Sequence, residues 1–345
     1  MVIKNDDGKW KETIDQLYPV YTLPKLRKHK LDPSLYIAGD GFIRKGAGCI
    51  LVGATGMGKS VLAEQVGLSI AAGEDIFGIK VPKPRKVHYI QAENDEDVMK
   101  RDVESIVDNL GLDEDLVNKN FTMRHVFGLS DSSFAEYLAH EVDRFDPELI
   151  VIDHFQAYTD GDFNKAEVFK QWVTPIDEML KAHGIGLLLI MHKGKPKDVS
   201  GWDIRELVYN AMGTSAHSNW ARTACEIKPS KNDVRRFDLI LTKNADRAGL
   251  KDENGQVLRH IYVEHSEDSS APYWGKCEVQ SAEVVVDRKQ LIEDCAHEYP
   301  NKSQRWISKH LGCSVGVVSK YYPKDLQKKK AREVEKKVKK VTKKK

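Results

Sequence analysis

An eight-residue, glycine-rich stretch constrains the fold of this chain more than any other feature. It follows a short apolar run at Cys49–Val52, and the residues after it are typical of the first turns of a helix. Glycines let the backbone wrap around an anion with its N–H groups pointing inward, and the helix start adds positive potential there. The pattern G-x-x-x-x-G-K-[ST] in this context predicts a phosphate-binding loop, or P-loop. Its residues are Gly53, Ala54, Thr55, Gly56, Met57, Gly58, Lys59 and Ser60.

The predicted ligands of this loop are ATP and Mg²⁺. The lysine of such a loop, here Lys59, reaches the β- and γ-phosphates, and the hydroxyl that follows it, here Ser60, binds Mg²⁺. The alternative is a glycine-rich turn that arose by chance, which the flanking strand and helix disfavour. The motif leaves open what the chain does with the nucleotide.

Composition indicates one large domain and a small second one. The 345 residues are 41% hydrophobic, which suffices for a core, and no apolar run is long enough to span a bilayer. The N-terminal residues lack the apolar segment of a signal peptide. The five cysteines stand singly and form no C-x-x-C or zinc spacing, so we expect reduced thiols and a cytoplasmic protein.

From about residue 35, short apolar runs alternate with helical patterns. This alternation predicts an α/β fold with a largely parallel sheet and helices on both faces. The P-loop would then lie at the carboxyl end of a strand, where open α/β sheets bind ligands. The predicted strands are Cys49–Val52, Val87–Ala92, Leu149–Asp153, Gly186–Met191, Phe237–Thr242 and His260–Val263, and the predicted helices are Lys59–Ala72, Glu96–Leu110, Ser132–Phe145 and Asn164–His183.

Two predicted strands end at carboxylates suited to ATP chemistry. Asp153 would hold Mg²⁺ opposite Ser60, or else it caps a turn after a buried strand. The next residue is His154, where many ring ATPases carry the acid that activates water. Glu93 ends a different strand and would orient and polarise that water instead. The alternative for Glu93 is an acidic helix cap.

A third strand ends at His192, which could hydrogen-bond the γ-phosphate and report hydrolysis to the loop that follows. The alternative is a strand-end histidine with an ordinary structural partner. The loop combines cations for phosphates with an aromatic face for a base, which suits single-stranded nucleic acid, or it is a polar surface loop with one anchoring tryptophan. The predicted DNA contacts are Lys193, Lys195, Lys197, Trp202 and Arg205.

Two cations close the last predicted core strand. Lys243 and Arg247 could reach the triphosphate bound by a neighbouring subunit, where a cation supplied in trans stabilises transition-state charge. The alternative is a hairpin with exposed basic residues.

The order of these motifs resembles that of the RecA/DnaB-type ATPases, and most of all the RepA-like hexameric replicative helicases of plasmids and mobile elements. The resemblance covers about residues 35 to 263 and implies a RecA-like fold and a hexamer. DnaB-type enzymes usually carry Gln at the position of His192, and their Lys-x-Arg pair is more compact than Lys243 and Arg247. The resemblance assigns catalysis to Glu93, Lys59, His192 and Arg247, and Mg²⁺ binding to Ser60 and Asp153.

A second pattern begins near residue 286 and predicts a helix-turn-helix. Within Ser303–Lys320, Ile307 and Leu311 share one helical face, Gly312 suits a positive-φ turn, and Ser314 is a good N-cap. Residues 287–298 would form the supporting helix. The alternative is a helical hairpin that contacts protein. The residues predicted to face a major groove are Ser314, Gly316, Ser319 and Lys320.

The last 22 residues form a basic tail. Eleven lysines and one arginine against three acids give +9, which leaves −7 for the rest because the whole chain is +2. A polyanionic partner such as DNA and a disordered solubilising tail both fit this composition. The predicted organisation is an arm at 1–34, a RecA-like ATPase domain at 35–280, a helix-turn-helix domain at 286–323 and a tail at 324–345.

The favoured function is an ATP-dependent DNA motor, a ring-forming replicative helicase of a plasmid, phage or mobile element. Its expected partners are single-stranded DNA in the ring, duplex DNA at the helix-turn-helix and further copies of the chain. The alternatives are a DNA-binding ATPase that loads other proteins and a regulator whose helix-turn-helix is gated by nucleotide. A small-molecule kinase would leave the second domain unexplained.

Overall fold

The computed structural model describes residues 19–193, 215–230, 235–268, 270–277, 292–293, 295–297, 299–300, 302–310 and 315–323. The chain divides into two compact units, Met1–Cys277 and Glu278–Lys345.

A nine-stranded sheet forms the centre of the first unit, and a two-stranded sheet of β1 and β2 lies outside it. The order of the nine strands is β11-β10-β9-β8-β3-β7-β6-β4-β5. The strands are β1 Tyr36–Ala38, β2 Ile43–Arg44, β3 Gly48–Gly53, β4 Val87–Gln91, β5 Phe121–His125, β6 Leu149–Asp153, β7 Gly186–His192, β8 Thr223–Pro229, β9 Arg236–Lys243, β10 His260–His265 and β11 Trp274–Lys276.

Seven α-helices are described in the first unit, together with three 3₁₀ turns. The helices are α1 Leu23–Lys28, α2 Lys59–Ala72, α3 Glu96–Leu110, α4 Glu114–Asn120, α5 Asp131–Phe145, α6 Ala166–His183 and α7 Ser215–Trp220. The 3₁₀ turns are Pro33–Leu35, Phe155–Tyr158 and Ala245–Ala248.

The six strands from β8 to β5 in the sheet order run parallel, and β9, β10 and β11 extend the sheet as antiparallel strands. The predicted α/β class with a largely parallel sheet is therefore confirmed. In this register Gly53 lies level with His192, and Gln91 lies level with Asp153. The carboxyl ends of β3, β4, β6 and β7 thus meet at one edge of the sheet, called here the P-loop edge.

Alternation along β3 separates two layers of core. Cys49 and Leu51 face the layer that contains α2, whereas Ile50 and Val52 face the layer that contains α5 and α6. Because successive residues of a strand point to opposite faces, an apolar run of this kind is buried on both sides. Helices thus cover both faces of the sheet, as expected.

Local sequence signals set the helix bounds. Helices α2 and α3 have the predicted limits. Helix α3 begins after Asp95, whose carboxylate accepts a hydrogen bond from the Val98 N–H at 3.0 Å, and it ends at Gly111 in the left-handed conformation. Helix α5 begins one residue earlier than predicted, and α6 begins two residues later.

Five strands, β1, β2, β5, β8 and β11, were not predicted, and β5 and β8 show two different reasons. Strand β5 lies at the edge of the sheet and is only half-buried, so it has no apolar run. Strand β8 is central but carries the buried Glu226. The ammonium groups of Lys193 and Lys228 lie 2.7 and 3.2 Å from its carboxylate and compensate its charge. A buried charge that is paired with cations interrupts the apolar pattern by which a central strand is recognised in the sequence.

Two short helices are described in the second unit, α8 Gln304–His310 and α9 Val315–Tyr321. Ile307 and Val318 are fully buried and share a cluster with Ile292, Ala296 and Tyr322. Leu311, Gly312 and Ser314 lie outside the described residues, as do 287–291, 294 and 298 of the predicted supporting helix and the whole tail, so the helix-turn-helix stays a prediction. Within the described part of the chain, no helix has the length and hydropathy needed to cross a membrane.

Candidate nucleotide site

The P-loop connects the end of β3 to the start of α2. Gly56 and Gly58 have positive φ angles of 79° and 69°, which side chains disfavour. Among the described residues, the N–H groups of Thr55 to Gly58 donate to no protein acceptor. Free N–H groups beside a helix N-terminus suit an anion, so the loop fits a phosphate group.

Lys59 is buried, and its ammonium lies across the mouth of this loop. It donates to the Ala54 carbonyl at 2.8 Å and to His192 Nδ1 at 3.0 Å. Burial lowers the pKa of Lys59, and the carboxylates of Asp153 and Glu93 oppose that shift. The lysine is therefore held at the P-loop by weak, replaceable partners rather than by an ion pair.

Asp153 ends β6 and is 6% exposed. Its carboxylate accepts a hydrogen bond from the Tyr89 hydroxyl at 2.8 Å. Burial raises the pKa of Asp153, whereas the neighbouring hydroxyls of Ser60 and Tyr89 lower it. A carboxylate beside a hydroxyl supplies the hard oxygen donors that Mg²⁺ prefers, so Ser60 and Asp153 fit the metal of a P-loop nucleotide.

Glu93 lies two residues beyond β4, in a turn fixed by Gln91. The Gln91 side chain accepts from the N–H groups of Glu93 and Asn94, at 2.9 and 2.7 Å. The Glu93 side chain is 64% exposed, and its Oε1 lies 2.9 Å from Nε2 of His154. Glu93 is thus an exposed carboxylate at the same edge as the P-loop, held by one contact with the residue after Asp153.

His192 joins these groups to the P-loop. Besides Lys59, its Nδ1 lies 3.4 Å from the Thr55 hydroxyl, and its ring lies edge-on to that of His154, 4.2 Å between centroids. Burial, and then the charges of Lys59 and His154, lower the pKa of His192 to about 4. Gln156 pairs with the main chain of His192, accepting from its N–H at 3.3 Å and donating to its carbonyl at 3.2 Å.

Four residues of this site went unrecognised in the sequence: His154, Gln156, Gln65 and Trp274. The buried Trp274 of β11 donates its indole N–H to the Gly58 carbonyl at 3.2 Å. Its own main-chain N–H and carbonyl pair with the Gln65 amide, both at 2.8 Å. A Cβ on Gly58 would lie 2.7 Å from the Trp274 ring, so this glycine also gives the indole room. No local pattern could reveal these contacts, because they join distant parts of the chain.

Lys243 and Arg247 lie at the opposite edge of the sheet from their own P-loop. Lys243 pairs with Ala224 near the start of β8, and Ala224 lies level with Ile50 rather than with Gly53. Its ammonium donates to the carbonyls of Ser218 and Ala221 at 2.5 and 2.6 Å. Burial, and then the charges of Arg222 and Arg247, lower the pKa of Lys243.

The predicted DNA contacts are only partly visible. Lys193 is largely buried, and its ammonium lies 2.7 Å from the Glu226 carboxylate. Gly316 and Ser319 are exposed on α9. The remaining residues predicted to contact DNA lie, at least in their side chains, outside the described residues: Lys195, Lys197, Trp202, Arg205, Ser314 and Lys320.

Comparison with known families agrees with this geometry. The family model of the AAA domain matches residues 26–198, which is half of the chain. The chain belongs to the AAA domain family. The match contains the P-loop, Glu93, Asp153 and His192, and this AAA domain is a P-loop ATPase domain, which implies nucleotide-dependent activity with Mg²⁺. No curated protein matches the chain.

Proposed function

We propose that the protein is an ATP-driven motor on DNA, a ring-forming replicative helicase of a plasmid, phage or mobile element. One observation carries this proposal most. The acid available for water activation, Glu93, stands beyond β4 rather than directly after Asp153, and it shares an edge with Lys59 and His192. This is the arrangement that the resemblance to RecA/DnaB-type ATPases implies.

Each side chain has a separate task in hydrolysis. Lys59 exchanges Ala54 and His192 for the β- and γ-phosphates, since an anion is a stronger partner for an ammonium than a neutral carbonyl or imidazole. Ser60 and Asp153 would hold Mg²⁺, which would supply positive charge beside the phosphates. Glu93 accepts the proton of the attacking water, and its exposure leaves room for that water.

His192 couples the nucleotide to the loop that follows it. Lys59 and the γ-phosphate compete for its ring, so nucleotide binding changes the partner of the residue that ends β7. The loop from residue 194 carries Lys195, Lys197, Arg205 and Trp202, a composition suited to a single strand. Hydrolysis at the P-loop edge thus changes the grip of a nucleic-acid loop.

The alternative is a DNA-binding ATPase that loads another protein or gates its own helix-turn-helix without unwinding DNA. The small second unit favours this alternative, because Ile307 and Val318 build a core for two short helices, with Gly316 and Ser319 exposed on one of them. The basic tail suits either function.

Phosphate release and strand displacement separate these functions. The helicase proposal predicts ATP hydrolysis stimulated at least tenfold by single-stranded DNA, together with displacement of one strand of a forked duplex. Glu93→Gln is the control for both. Stimulation by duplex alone, without displacement, would replace the motor with the regulator. Hydrolysis that no nucleic acid alters would refute a function on DNA.

A further inference from the structure

Three metal-ligand side chains converge beside the P-loop but do not belong to the proposed Mg²⁺ site. Glu93, His154 and His192 offer one ligand atom each, and these atoms all lie within 4.8 Å of one another. Tetrahedral bonds of 2.0–2.1 Å separate ligand atoms by about 3.3 Å. Displacements of the ligand atoms by about one ångström would therefore complete the three-ligand set. The Glu93 side chain is exposed and has room for such a shift.

The hydrogen bonds of His154 favour a metal ligand. Its Nδ1 lies 3.2 Å from Gln156 Oε1, and its Nε2 lies 2.9 Å from Glu93 Oε1, so an acceptor oxygen faces each nitrogen. When Nδ1 donates to Gln156, a neutral ring turns a lone pair, not a proton, toward Glu93. A cation between Nε2 of His154 and the carboxylate of Glu93 would bind the lone pairs of both groups. Metal-bound histidines are oriented in this way, with the second nitrogen donating to a fixed oxygen.

Gln156 is itself fixed, which makes it a suitable outer partner. Its amide pairs with both the N–H and the carbonyl of His192, at 3.3 and 3.2 Å. One side chain therefore orients the His154 ring and ties it to the strand end that carries the other histidine.

We propose that Glu93, His154 and His192 bind a transition-metal dication of the zinc class, and that its binding inhibits ATP hydrolysis. Two imidazoles and one carboxylate suit such ions, whereas Mg²⁺ prefers oxygen ligands. The open side at Glu93 leaves a fourth position for water. Inhibition follows because a carboxylate bound to a cation no longer accepts a proton from water. The inhibition rests on the proposed role of Glu93, but the binding does not.

Lys59 should affect the metal affinity of this site. Its ammonium donates to His192 Nδ1 at 3.0 Å, so lysine and metal compete for the same histidine. Lys59→Ala should therefore bind zinc more tightly, although the same substitution weakens nucleotide binding. A dication held instead by Ser60 and Asp153 would depend on the Ser60 hydroxyl and would not lose affinity in His154→Gln or His192→Gln.

The first experiment measures zinc binding to tag-free protein without nucleotide or Mg²⁺, by competition with a chromophoric chelator. We expect one high-affinity equivalent. His154→Gln and His192→Gln should each weaken it more than tenfold, and Gln156→Leu should weaken it about 10- to 100-fold, the usual range for an outer partner. Lys59→Ala should strengthen it several-fold. Cobalt in place of zinc gives a visible spectrum that the two histidine variants should lose.

Two matched control variants distinguish this site from zinc binding at surface histidines and from binding at the proposed Mg²⁺ site. His183→Gln removes an exposed histidine at the end of α6, and Ser60→Ala removes the hydroxyl proposed for Mg²⁺. Neither should change zinc affinity. Far-UV circular dichroism on every variant confirms folding. Wild-type affinity in both His154→Gln and His192→Gln, or unchanged affinity in Lys59→Ala, would overturn the site.

The second experiment compares ATPase rates at fixed Mg-ATP with and without micromolar zinc. Each variant is compared with itself, because His154 touches Glu93 and its substitution alters the zinc-free rate. Wild type should be inhibited, a chelator should restore it, and His154→Gln should resist. Zinc binding without inhibition would retain the site and refute the role of Glu93. Absence of zinc binding in an active ATPase would refute the site alone.

Discussion

Two clusters of charged residues, at opposite edges of the central sheet, differ in how their members are paired. At the P-loop edge, polar side chains contact one another: Lys59 with His192, His154 with Glu93, and Tyr89 with Asp153. At the opposite edge, Arg222, Lys243 and Arg247 form no ion pair with any described residue. There Lys243 is bound only by main-chain carbonyls. The P-loop cluster contains both signs of charge, whereas the three cations of the opposite cluster have no ion-pair partner among the described residues.

This difference matters for assembly. A cluster of cations without a carboxylate partner and an edge suited to a triphosphate are complementary surfaces on one molecule. Contacts between unlike surfaces build head-to-tail assemblies, which close into rings when the rotation per subunit allows it. The proposed ring would place Arg247 of one copy at the ATP of the next. The predictions below test this division between the edges, from the largest effect to the smallest.

Lys59→Ala should reduce ATP turnover to background. The substitution removes the cation that lies across the mouth of the P-loop and is proposed to face the β- and γ-phosphates. Fluorescent nucleotide binding and phosphate release measure the two consequences. Lys80→Ala, which removes an exposed lysine paired with Asp75, serves as the control and should behave as wild type. Normal turnover in Lys59→Ala would break the assignment of the P-loop edge.

Arg247→Ala should lower kcat by about 10³-fold, the lower end for an arginine supplied to a phosphoryl transition state. ATP binding should persist, because Arg247 lies at the edge opposite its own P-loop. The decisive measurement mixes this variant with Lys59→Ala. If the arginine acts in trans, some interfaces in the mixture combine an intact P-loop with an intact arginine, and activity returns. Two variants that stay inactive together would make Arg247 a structural residue.

Glu93→Gln should lower kcat by about 10²-fold or more, because the amide cannot accept the proton of water. Mg-ATP affinity should remain close to that of wild type, since Lys59, Ser60 and Asp153 are unchanged. Single-turnover phosphate release separates chemistry from binding. A normal rate in Glu93→Gln would move the catalytic acid elsewhere and break the resemblance on which the proposed function rests.

The sequence was sufficient to place at the P-loop edge those polar residues that directly follow a predicted strand. Gly53, Glu93, Asp153 and His192 each follow an apolar run, and parallel strands bring their carboxyl ends together. It could not predict which of these groups touch. The contact of Glu93 with His154 joins residues 61 apart, and that of Trp274 with Gly58 joins residues 216 apart. Such contacts depend on strand order and sheet twist, which no local pattern carries.

Glu64→Gln should raise stability at pH 7 by about 3 kcal/mol. Glu64 lies on α2, is fully buried, and neither carboxylate oxygen has a hydrogen-bond partner. Burial, and then the charges of Asp102 and Asp153, raise its pKa from 4.5 to about 9. Folding thus takes up a proton, and this contribution to stability is complete below pH 4.5 and is lost as pH rises toward 9.

The predicted gain in unfolding free energy follows from the 2.5 units between pH 4.5 and pH 7, which at 1.36 kcal/mol per unit give roughly 3 kcal/mol. Urea unfolding between pH 5 and pH 9 measures it. The wild type should lose stability with rising pH, and Glu64→Gln should lose less. Glu136→Gln, an exposed carboxyl on α5, is the control. Parallel pH profiles for wild type and Glu64→Gln would show that Glu64 is ionised in the fold and that the P-loop edge carries more negative charge.

The smallest effect tests whether the P-loop edge depends on the antiparallel extension of the sheet. Trp274 and Trp172 are both 1% exposed, and each donates its indole N–H to a main-chain carbonyl, of Gly58 at 3.2 Å and of Tyr158 at 2.9 Å. Replacing either by Phe removes one hydrogen bond and leaves a small cavity, so both should lose similar stability. Only Trp274→Phe loosens the carbonyl before Lys59.

A net hydrogen bond of about 0.5–1.5 kcal/mol corresponds to a change of roughly 2- to 10-fold in affinity. Trp274→Phe should therefore raise KM for ATP by that factor while kcat stays near wild type, and Trp172→Phe should leave both unchanged. Thermal unfolding of the two variants establishes that their stabilities match. Equal KM values in the pair would mean that the P-loop holds its conformation without Trp274. In that case the P-loop edge would owe its geometry to the parallel strands and α2 alone.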